Sequence, residues 1–177
     1  MKFLVKPARA VVLLGSLLLV AAPADAGDKG RDLPSERVLP LEIAKEAAAA
    51  ALAQCSEDGY RVSVAVVDRA GVLKALQRAD GAGPHTVDSS RRKAYTAASL
   101  REPTQKMAEL MAKRPSIQEL GKMNRSILIL GGGLPVRIQG HVLGGIGVGG
   151  APGAKLDEAC ARAGLKAIRA HPYTEEG

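Results

Sequence analysis

The chain has 177 residues, and its 25 basic and 18 acidic side chains give a formal net charge of +7. Aromatic residues make up only 2% of it, with one Phe and no Trp, so the base-stacking side chains of a nucleic-acid-binding protein are scarce. Composition therefore argues against a nucleic-acid partner. The excess of basic residues favours an anionic small molecule as the ligand.

Residues 1–26 have the pattern of an export signal. Three basic residues precede an apolar run over residues 10–20, and small residues flank a cleavage point at the end of this segment. The run is too short to span a membrane, so we expect a cleaved, periplasmic or secreted protein with no stable membrane insertion. The remaining chain suits one domain over residues 40–170, between a flexible leader over residues 27–39 and a tail over residues 171–177.

Apolar periodicity and turn residues predict the secondary structure. The predicted elements are, in chain order, a helix over residues 41–56, strands over residues 61–68 and 72–78, helices over residues 87–100 and 104–112, a short turn from Pro115, a strand over residues 126–130, a hairpin within residues 131–150 and a helix over residues 155–170. Thr86 is the expected N-cap of the second helix.

Strands joined by hairpins form an antiparallel sheet, so the order α-ββ-αα-βββ-α predicts an α+β fold. We expect about five antiparallel strands covered by helices, in a profilin-like or sensor-domain-like arrangement. No internal repeat or interdomain linker is apparent.

Residues 131–150 contain nine glycines, and between them apolar β-branched residues recur at two-residue steps. This pattern predicts two short strands joined near residues 139–141. Glycine has no β-carbon, so another group can approach this backbone closely. Two interpretations stay open, a surface for a flat ligand or another chain and an ordinary hairpin. The glycines match neither the phosphate-binding P-loop nor the dinucleotide-binding pattern.

Three short motifs in order resemble the GlcG/HbpS-like family of haem-binding proteins. They are residues 93–97 (KAYTA) followed by Pro103 and Thr104, residues 132–136 (GGLPV), and residues 144–150 (GGIGVGG). The resemblance covers most of the predicted domain and includes an acidic residue early in the last helix, Asp157. One departure is Gly149, where many members are expected to have serine.

The resemblance implies a small, often oligomeric domain that binds a cofactor, with haem as the expected one. Members include exported haem-binding proteins linked to redox sensing, cytoplasmic proteins of glycolate utilisation and domains fused to corrinoid enzymes. The export signal favours the first group. We therefore expect an exported, homo-oligomeric haem-binding protein that acts in haem uptake, storage or redox sensing with a sensor or transport partner.

The iron of haem takes a His, Met, Cys or Tyr ligand, and the propionates pair with Arg or Lys. His85 is the leading candidate for the iron ligand because it lies in a Gly/Pro-rich loop just before a helix. An exposed loop histidine without a ligand is the alternative interpretation. His141, in the glycine-rich hairpin, and His171, in the tail, are the other two histidines.

Basic residues follow His85 within two helical turns and are candidates for propionate contacts. The predicted cofactor-binding residues are His85, Arg91, Arg92, Lys93, Tyr95, Thr96, Gly132 and Gly133. Consecutive helical residues point in different directions, so residues 91–93 cannot all face one pocket. Thr96 can instead bond back to its own helix. We expect the site between the His85 loop, the basic helix and the glycine-rich hairpin.

Cys55 and Cys160 are the only cysteines, and each lies on the predicted buried stripe of a terminal helix. In an exported protein the two can form a disulfide if their helices pack side by side. Two buried free thiols are the alternative, and the sequence leaves both open. No Cys/His spacing typical of a zinc site is present.

No nucleophile with an associated base is apparent, since the sequence lacks G-x-S-x-G and H-E-x-x-H motifs. A binding protein is therefore favoured over an enzyme. Two other functions stay open. One is an accessory protein or enzyme acting on a small organic acid of the glycolate type or on a corrinoid, and the other is a ligand-free oligomeric structural module.

Overall fold

A computed structural model of the chain describes residues 33–170. The predicted signal peptide and tail lie outside this range, as does the first part of the predicted leader. Contacts divide the chain into two units, Met1–Ser35 and Glu36–Gly177, and the fold described below is that of the second unit. At the end of the predicted leader, Leu39 is buried in the core.

The described residues form four α-helices, one 3-10 helix and four strands. In chain order these are α1 (Leu41–Glu57), β1 (Ser63–Asp68), β2 (Leu73–Arg78), α2 (His85–Leu100), α3 (Thr104–Lys113), the 3-10 helix Pro115–Lys122, β3 (Gly133–Ile138), β4 (His141–Gly149) and α4 (Ala154–Ala167). The strands form one antiparallel sheet in the order β2-β1-β4-β3. The α+β class and the antiparallel sheet are confirmed, with one strand fewer than expected.

The pairing of β1 with β4 joins the two hairpins into one sheet. Ser63 lies opposite Gly149, and Asp68 lies opposite Gly144. The turn of the first hairpin is held by Asp68, whose Oδ1 accepts hydrogen bonds from the N–H groups of Ala70 and Val72, both at 2.9 Å. This order places the glycine-rich strand β4 at the centre of the sheet.

Helices cover both faces of the sheet. The alanine-rich sides of α1 and α4 pack against alternate residues of β1, β3 and β4 in the main core. On the opposite face, Ala94 and Ala98 of α2 meet Ala65 and Val67 of β1. Because most side chains in this second contact are small, α2 lies very close to the sheet.

Glycines of β4 set the distance between α2 and the sheet. A β-carbon on Gly145 would lie 2.2 Å from the carbonyl oxygen of Ala94, and one on Gly147 would lie 2.2 Å from that of Ser90. A side chain at either position therefore displaces the helix. The close approach that the glycines permit is made here by a helix of the same chain.

We expect Gly147→Ala to lower the free energy of unfolding by about 1–3 kcal/mol, the usual effect of overpacking a core. The added methyl group meets backbone atoms of Ser90 and Ala94, which cannot rotate away as a flexible side chain can. Urea unfolding followed by circular dichroism measures the change. Gly121→Ala is the control, because a β-carbon there meets its neighbours at 3.5 Å or more. Equal stability of the two variants would contradict the tight packing of α2.

The predicted strand over residues 126–130 is wrong, because this segment is irregular. Its backbone bonds to side chains of α2. Thr96 Oγ1 accepts a hydrogen bond from the Leu128 N–H at 2.8 Å, and Arg92 donates to the Ile127 carbonyl at 2.7 Å. The apolar residues of this segment are typical of a strand. Its backbone groups, however, bond to side chains of α2 and not to the backbone of a neighbouring strand.

Helix α2 begins at His85, two residues before the predicted start, and Thr86 is not its N-cap. Pro84 precedes the helix, and proline favours a helix start because its φ is already helical. Thr86 is buried in the first turn, where its hydroxyl donates to the Gly83 carbonyl and lies 2.7 Å from Ser63 Oγ. His85 is therefore held by a helix and not carried on a flexible loop.

Cys55 of α1 and Cys160 of α4 are joined in a disulfide, with their Cα atoms 5.5 Å apart. Both side chains are fully buried in the main core, where the two helices pack against each other. The bond spans a sequence separation of 105 residues. It therefore links the first and last helices of the domain.

Removal of this disulfide in Cys55→Ala/Cys160→Ala is expected to lower the free energy of unfolding by about 3–5 kcal/mol, because the bond restricts a long loop of the unfolded chain. Urea unfolding of the oxidised parent and the double variant measures the difference. The parent unfolded in the presence of a reductant should match the variant. A reduced parent as stable as the oxidised one would contradict this role.

Candidate ligand-binding site

A cavity of about 320 Å³ opens where the first turns of α2 and α4 approach each other. One wall consists of three α2 residues at four-residue steps, His85, Ser89 and Lys93, which share one side of the helix. The other wall is formed within residues 150–157, and Leu130 completes the lining. A volume of about 300–1,000 Å³ is usual for a small-molecule site, so this cavity lies at the small end of that range.

His85 is exposed at the first position of α2. Its ring lies against Gly83, since a β-carbon on Gly83 would be 2.6 Å from His85 Cε1. The imidazole therefore has a fixed backbone behind it and remains accessible to a ligand in the cavity.

The first residues of α2 and α4, His85 and Ala154, both line this cavity. No side chain caps either helix, because Pro84 precedes α2 and Gly153 precedes α4. The first N–H groups of a helix have no partner within the helix, and the helix dipole places partial positive charge there. Two such ends at one cavity favour an anionic group such as a carboxylate.

A buried ion pair contributes to both walls. The Lys93 side chain is 2% exposed and that of Asp157 is 5% exposed, and Lys93 Nζ donates to Asp157 Oδ2 at 2.7 Å. Lys93 Nζ also donates to the Val148 carbonyl at 2.9 Å, and Asp157 Oδ1 accepts from the Ala151 N–H at 3.0 Å. The pair thus connects α2, β4, α4 and the segment that leads into α4.

Burial raises the pKa of Asp157 above its ordinary value of 3.8. The positive charge of Lys93, its hydrogen bond and the Ala151 N–H act in the opposite direction and favour the carboxylate. Removal of Lys93 would leave burial as the main effect and raise the pKa of Asp157 further.

Lys93→Met is expected to lower the free energy of unfolding by about 3–5 kcal/mol near neutral pH, since it leaves a buried carboxylate without its partner. The pKa of Asp157 is raised in the folded variant, so the loss of unfolding free energy is largest above that pKa, where the carboxylate is charged. The loss becomes smaller as Asp157 takes up a proton in acid. Urea unfolding at about pH 8 and about pH 5 measures both effects.

Arg91→Met on the same helix is the control for this variant. Arg91 is exposed, and its guanidinium lies 3.4 Å from Asp88, so its loss should change stability by less than about 1 kcal/mol. A Lys93→Met variant that is no less stable than Arg91→Met would show that the buried pair contributes nothing to the fold.

The predicted site residues Gly132 and Gly133 lie behind this pair and not in the cavity lining. Gly132 has φ +108°, and a β-carbon there would lie 2.6 Å from Asp157 Cβ and 3.1 Å from Lys93 Nζ. Gly133 packs on the Lys93 carbonyl, and its N–H donates to Thr104 Oγ1 at 2.9 Å. Gly132 therefore makes room for the ion pair, and Gly133 makes room for the backbone of α2 at Lys93.

Four of the other predicted residues lie outside the cavity lining. Arg91 is exposed and pairs with Asp88, and Arg92 holds the irregular segment after the 3-10 helix. Thr96 Oγ1 donates to the Arg92 carbonyl at 2.8 Å, as the alternative interpretation of this residue predicted. The ring of Tyr95 lies against Gly71. The structure therefore brings only His85 and Lys93 of the predicted set into the lining.

Ser89 is a lining residue that the sequence analysis missed. The signal was present, because His85, Ser89 and Lys93 follow each other at four-residue steps. Ser89 also packs on Gly149, since a β-carbon on Gly149 would lie 2.5 Å from Ser89 Oγ. A serine at position 149 would have to displace the Ser89 hydroxyl.

The other histidines give no second ligand to this cavity in the part of the chain that the structure describes. His141 is exposed at the start of β4, and His171 lies outside residues 33–170. Within the same range, no cluster of three or more His, Cys, Asp or Glu side chains is arranged to hold a metal ion. No helix among these residues has the length and apolar character needed to cross a membrane.

Comparison with known proteins identifies the family. A family model described as haem degrading protein HbpS-like matches residues 39–166. The chain belongs to the HbpS-like family. The match includes every helix and strand named above except the last residue of α4.

Three relatives show how far the similarity extends. GlcG of Escherichia coli is 32% identical over 111 residues, which are 63% of this chain and 81% of GlcG. A crystal structure of a double mutant of Streptomyces reticuli HbpS is 45% identical, with a TM-score of 0.72 over 82% of this chain and 96% of that chain. A PduOC:haem complex shares the fold at 20% identity, with a TM-score of 0.69 over 78% of this chain and all of that chain.

Proposed function

We propose that this protein binds haem in the cavity between α2 and α4, with His85 as the ligand of the iron. The observation that carries the proposal is the meeting of an exposed imidazole and two uncapped helix N-termini at one cavity. The HbpS-like family and the haem complex of PduOC, a protein of the same fold, support haem as the cofactor. Bound haem would supply a redox-active iron.

The residues of the cavity suit the parts of haem. His85 offers a nitrogen ligand to the iron, and the N-terminus of α4 offers N–H groups to a propionate. Leu130, Ala151 and Ala154 provide apolar contacts for the macrocycle. The positive charge of Lys93 balances the negative charge of Asp157, so the pair adds no net negative charge to the cavity wall.

One chain encloses only part of a ligand as large as haem, because the cavity lies at the small end of the usual range. We therefore include in the proposal a homo-oligomer in which a second copy covers the rest of the cofactor. Release of haem to a transport partner, or a change of iron state read by a sensor partner, would then serve uptake, storage or redox sensing.

Export to the periplasm or medium is the proposed location. The pattern of residues 1–26 supports it, and so does the disulfide between Cys55 and Cys160, because structural disulfides persist in oxidising compartments.

A second candidate ligand is a small organic acid of the glycolate type. Two helix N-termini at one cavity favour any carboxylate, whether or not it carries an iron. Such a ligand would not need His85, so the effect of a His85 substitution separates the two candidates.

Haemin titration of the full chain, followed in the Soret region, tests the proposal. We expect a saturable band for the parent and at least about tenfold weaker binding for His85→Ala, which corresponds to the loss of about 1.4 kcal/mol of binding free energy. His141→Ala is the matched control, because His141 is also exposed but lies outside the cavity lining. It should bind haemin as the parent does.

Two other outcomes would change the proposal. A saturable band that His85→Ala leaves unaltered keeps haem binding and removes His85 as the iron ligand. No saturable band for the parent overturns haem binding, and calorimetric binding of glycolate would then favour the organic-acid function.

A further inference from the structure

We propose that Gly83, held in place by Thr86 and Ser63, is the positioning residue for His85, and that it leaves Nε2 of the imidazole to ligate the iron. The inference rests on the proposed function, since the ligand that it concerns is haem. It adds which nitrogen binds the iron and which residues orient that nitrogen.

The imidazole of His85 lies with one edge against Gly83. A β-carbon built on Gly83 would be 2.6 Å from Cε1 and 2.9 Å from Nδ1 of this ring, but 3.7 Å from Nε2. Nδ1 is therefore the nitrogen that faces the backbone. The two ring nitrogens are distinct ligands, and an iron that carries a wide macrocycle needs the one that no backbone atom crowds. In His85 that nitrogen is Nε2.

Packing alone holds this ring. Among residues 33–170, no hydrogen bond joins the His85 imidazole to another residue. The second nitrogen of a metal-bound imidazole usually makes a hydrogen bond that fixes the orientation of the ring. Contact with the backbone of Gly83 takes that role here, so the position of Gly83 determines where Nε2 points.

A directed chain of hydrogen bonds fixes Gly83. The N–H and the hydroxyl of Thr86 both donate to the Gly83 carbonyl, at 3.0 and 2.7 Å. Ser63 Oγ lies 2.7 Å from Thr86 Oγ1. Because a carbonyl only accepts, the hydroxyl proton of Thr86 is used for Gly83, and Ser63 must donate to Thr86. Hydrogen bonds in such a chain strengthen one another.

This chain is buried and begins in the sheet. Ser63 is 0% and Thr86 is 1% exposed, so water does not compete for either hydroxyl. Ser63 is the first residue of β1 and pairs with Gly149 of the central strand β4. The backbone behind the imidazole is therefore tied to the rigid part of the fold.

The residues around Gly83 are held as well. The Arg78 guanidinium donates to the Ala82 carbonyl, and the Ala82 N–H donates to the Ala79 carbonyl at 3.1 Å. Pro84 follows Gly83 directly, and its ring fixes φ near the observed −62°. Gly83 is thus restrained on both sides. Only a residue without a side chain lets the imidazole lie this close to the backbone.

The first test adds a methyl group behind the ring. Gly83→Ala should leave the midpoint of urea unfolding unchanged, because the exposed His85 ring can rotate away and φ of Gly83 lies outside the left-handed region. Rotation moves Nε2, so haemin binding followed in the Soret region should be at least about tenfold weaker than in the parent.

Gly121→Ala is the control for this variant. A β-carbon at Gly121 meets no neighbour closer than 3.5 Å, and Gly121 lies outside the cavity lining. It should bind haemin as the parent does. Gly83→Ala with the affinity and Soret spectrum of the parent overturns the inference.

The second test uses the ligand-free chain. We expect a nuclear Overhauser cross-peak between His85 Hε1 and the α-protons of Gly83, because these groups are in contact. Thr86→Val removes the hydroxyl and leaves Ser63 without its acceptor, so it should weaken both this cross-peak and haemin binding. Thr86→Ser keeps the hydroxyl and should restore both. A Thr86→Val variant that matches Thr86→Ser in both measurements overturns the role of the chain.

Zinc protoporphyrin IX identifies the nitrogen, since its diamagnetic metal permits NMR of the bound imidazole. Ligation through Nε2 places both Hδ2 and Hε1 of His85 over the macrocycle, whose ring current then shifts both protons far upfield. Ligation through Nδ1 would shift only Hε1 in this way, and that result overturns the assignment of Nε2.

The outcomes separate this inference from the proposed function. Equal haemin binding by the parent, Gly83→Ala and Thr86→Val keeps the proposed function and overturns the inference. Absence of saturable haemin binding by the parent overturns the proposed function and ligation through Nε2 with it. The cross-peak in the ligand-free chain then still decides whether Gly83 orients the imidazole.

Discussion

The close contact between α2 and the glycines of β4 is the constraint on which the rest of the structure depends. Gly145 and Gly147 leave no room for a β-carbon between the sheet and the backbone of the helix. This contact fixes the distance at which α2 lies and therefore the place of every side chain that it carries. Lys93 can reach Val148 and Asp157 only because the helix is so near the sheet.

The position of the cavity depends on this contact between α2 and β4. The side of α2 that carries His85, Ser89 and Lys93 faces the segment that leads from β4 into α4. The buried pair joins these two parts, and the disulfide between Cys55 and Cys160 joins α4 to α1 on the other face of the sheet. Helix α4 is thus held in its first turn by the ion pair and in its second turn by the disulfide, which favours a preorganised ligand site.

The residues of the motif over residues 93–97 have structural roles that its composition does not suggest. Its lysine is buried against a carboxylate, its threonine holds the irregular segment before β3, and its tyrosine packs on a turn. These are structural contacts, and they account for the residue types without contact to a ligand. Only the lysine also reaches the cavity, so the site depends on the motif mainly through the position of α2.

Local patterns in the sequence determined much of the fold. Alternation and turn residues predicted β1, β2 and the glycine-rich hairpin within a few residues, because strand and turn preferences depend on near neighbours. The three- and four-residue steps of α1 marked its buried side, but those of α4 marked the wrong side apart from Cys160, because Leu156 and Ala159 are exposed whereas Asp157 and Leu165 are buried. The same logic failed for residues 126–130, where hydrogen bonds with α2 side chains distant in the sequence decided the backbone conformation.

Local patterns predicted less of the candidate site. The sequence determined that a histidine and three basic residues lie close together along the chain. It does not distinguish the surroundings of the three basic side chains. Tertiary structure decided that Arg91 is exposed, that Arg92 bonds to a loop and that Lys93 is buried against Asp157, 64 residues away. The physical reason is that charge and burial of a side chain depend on which other elements pack against its face of the helix, and that information is not local.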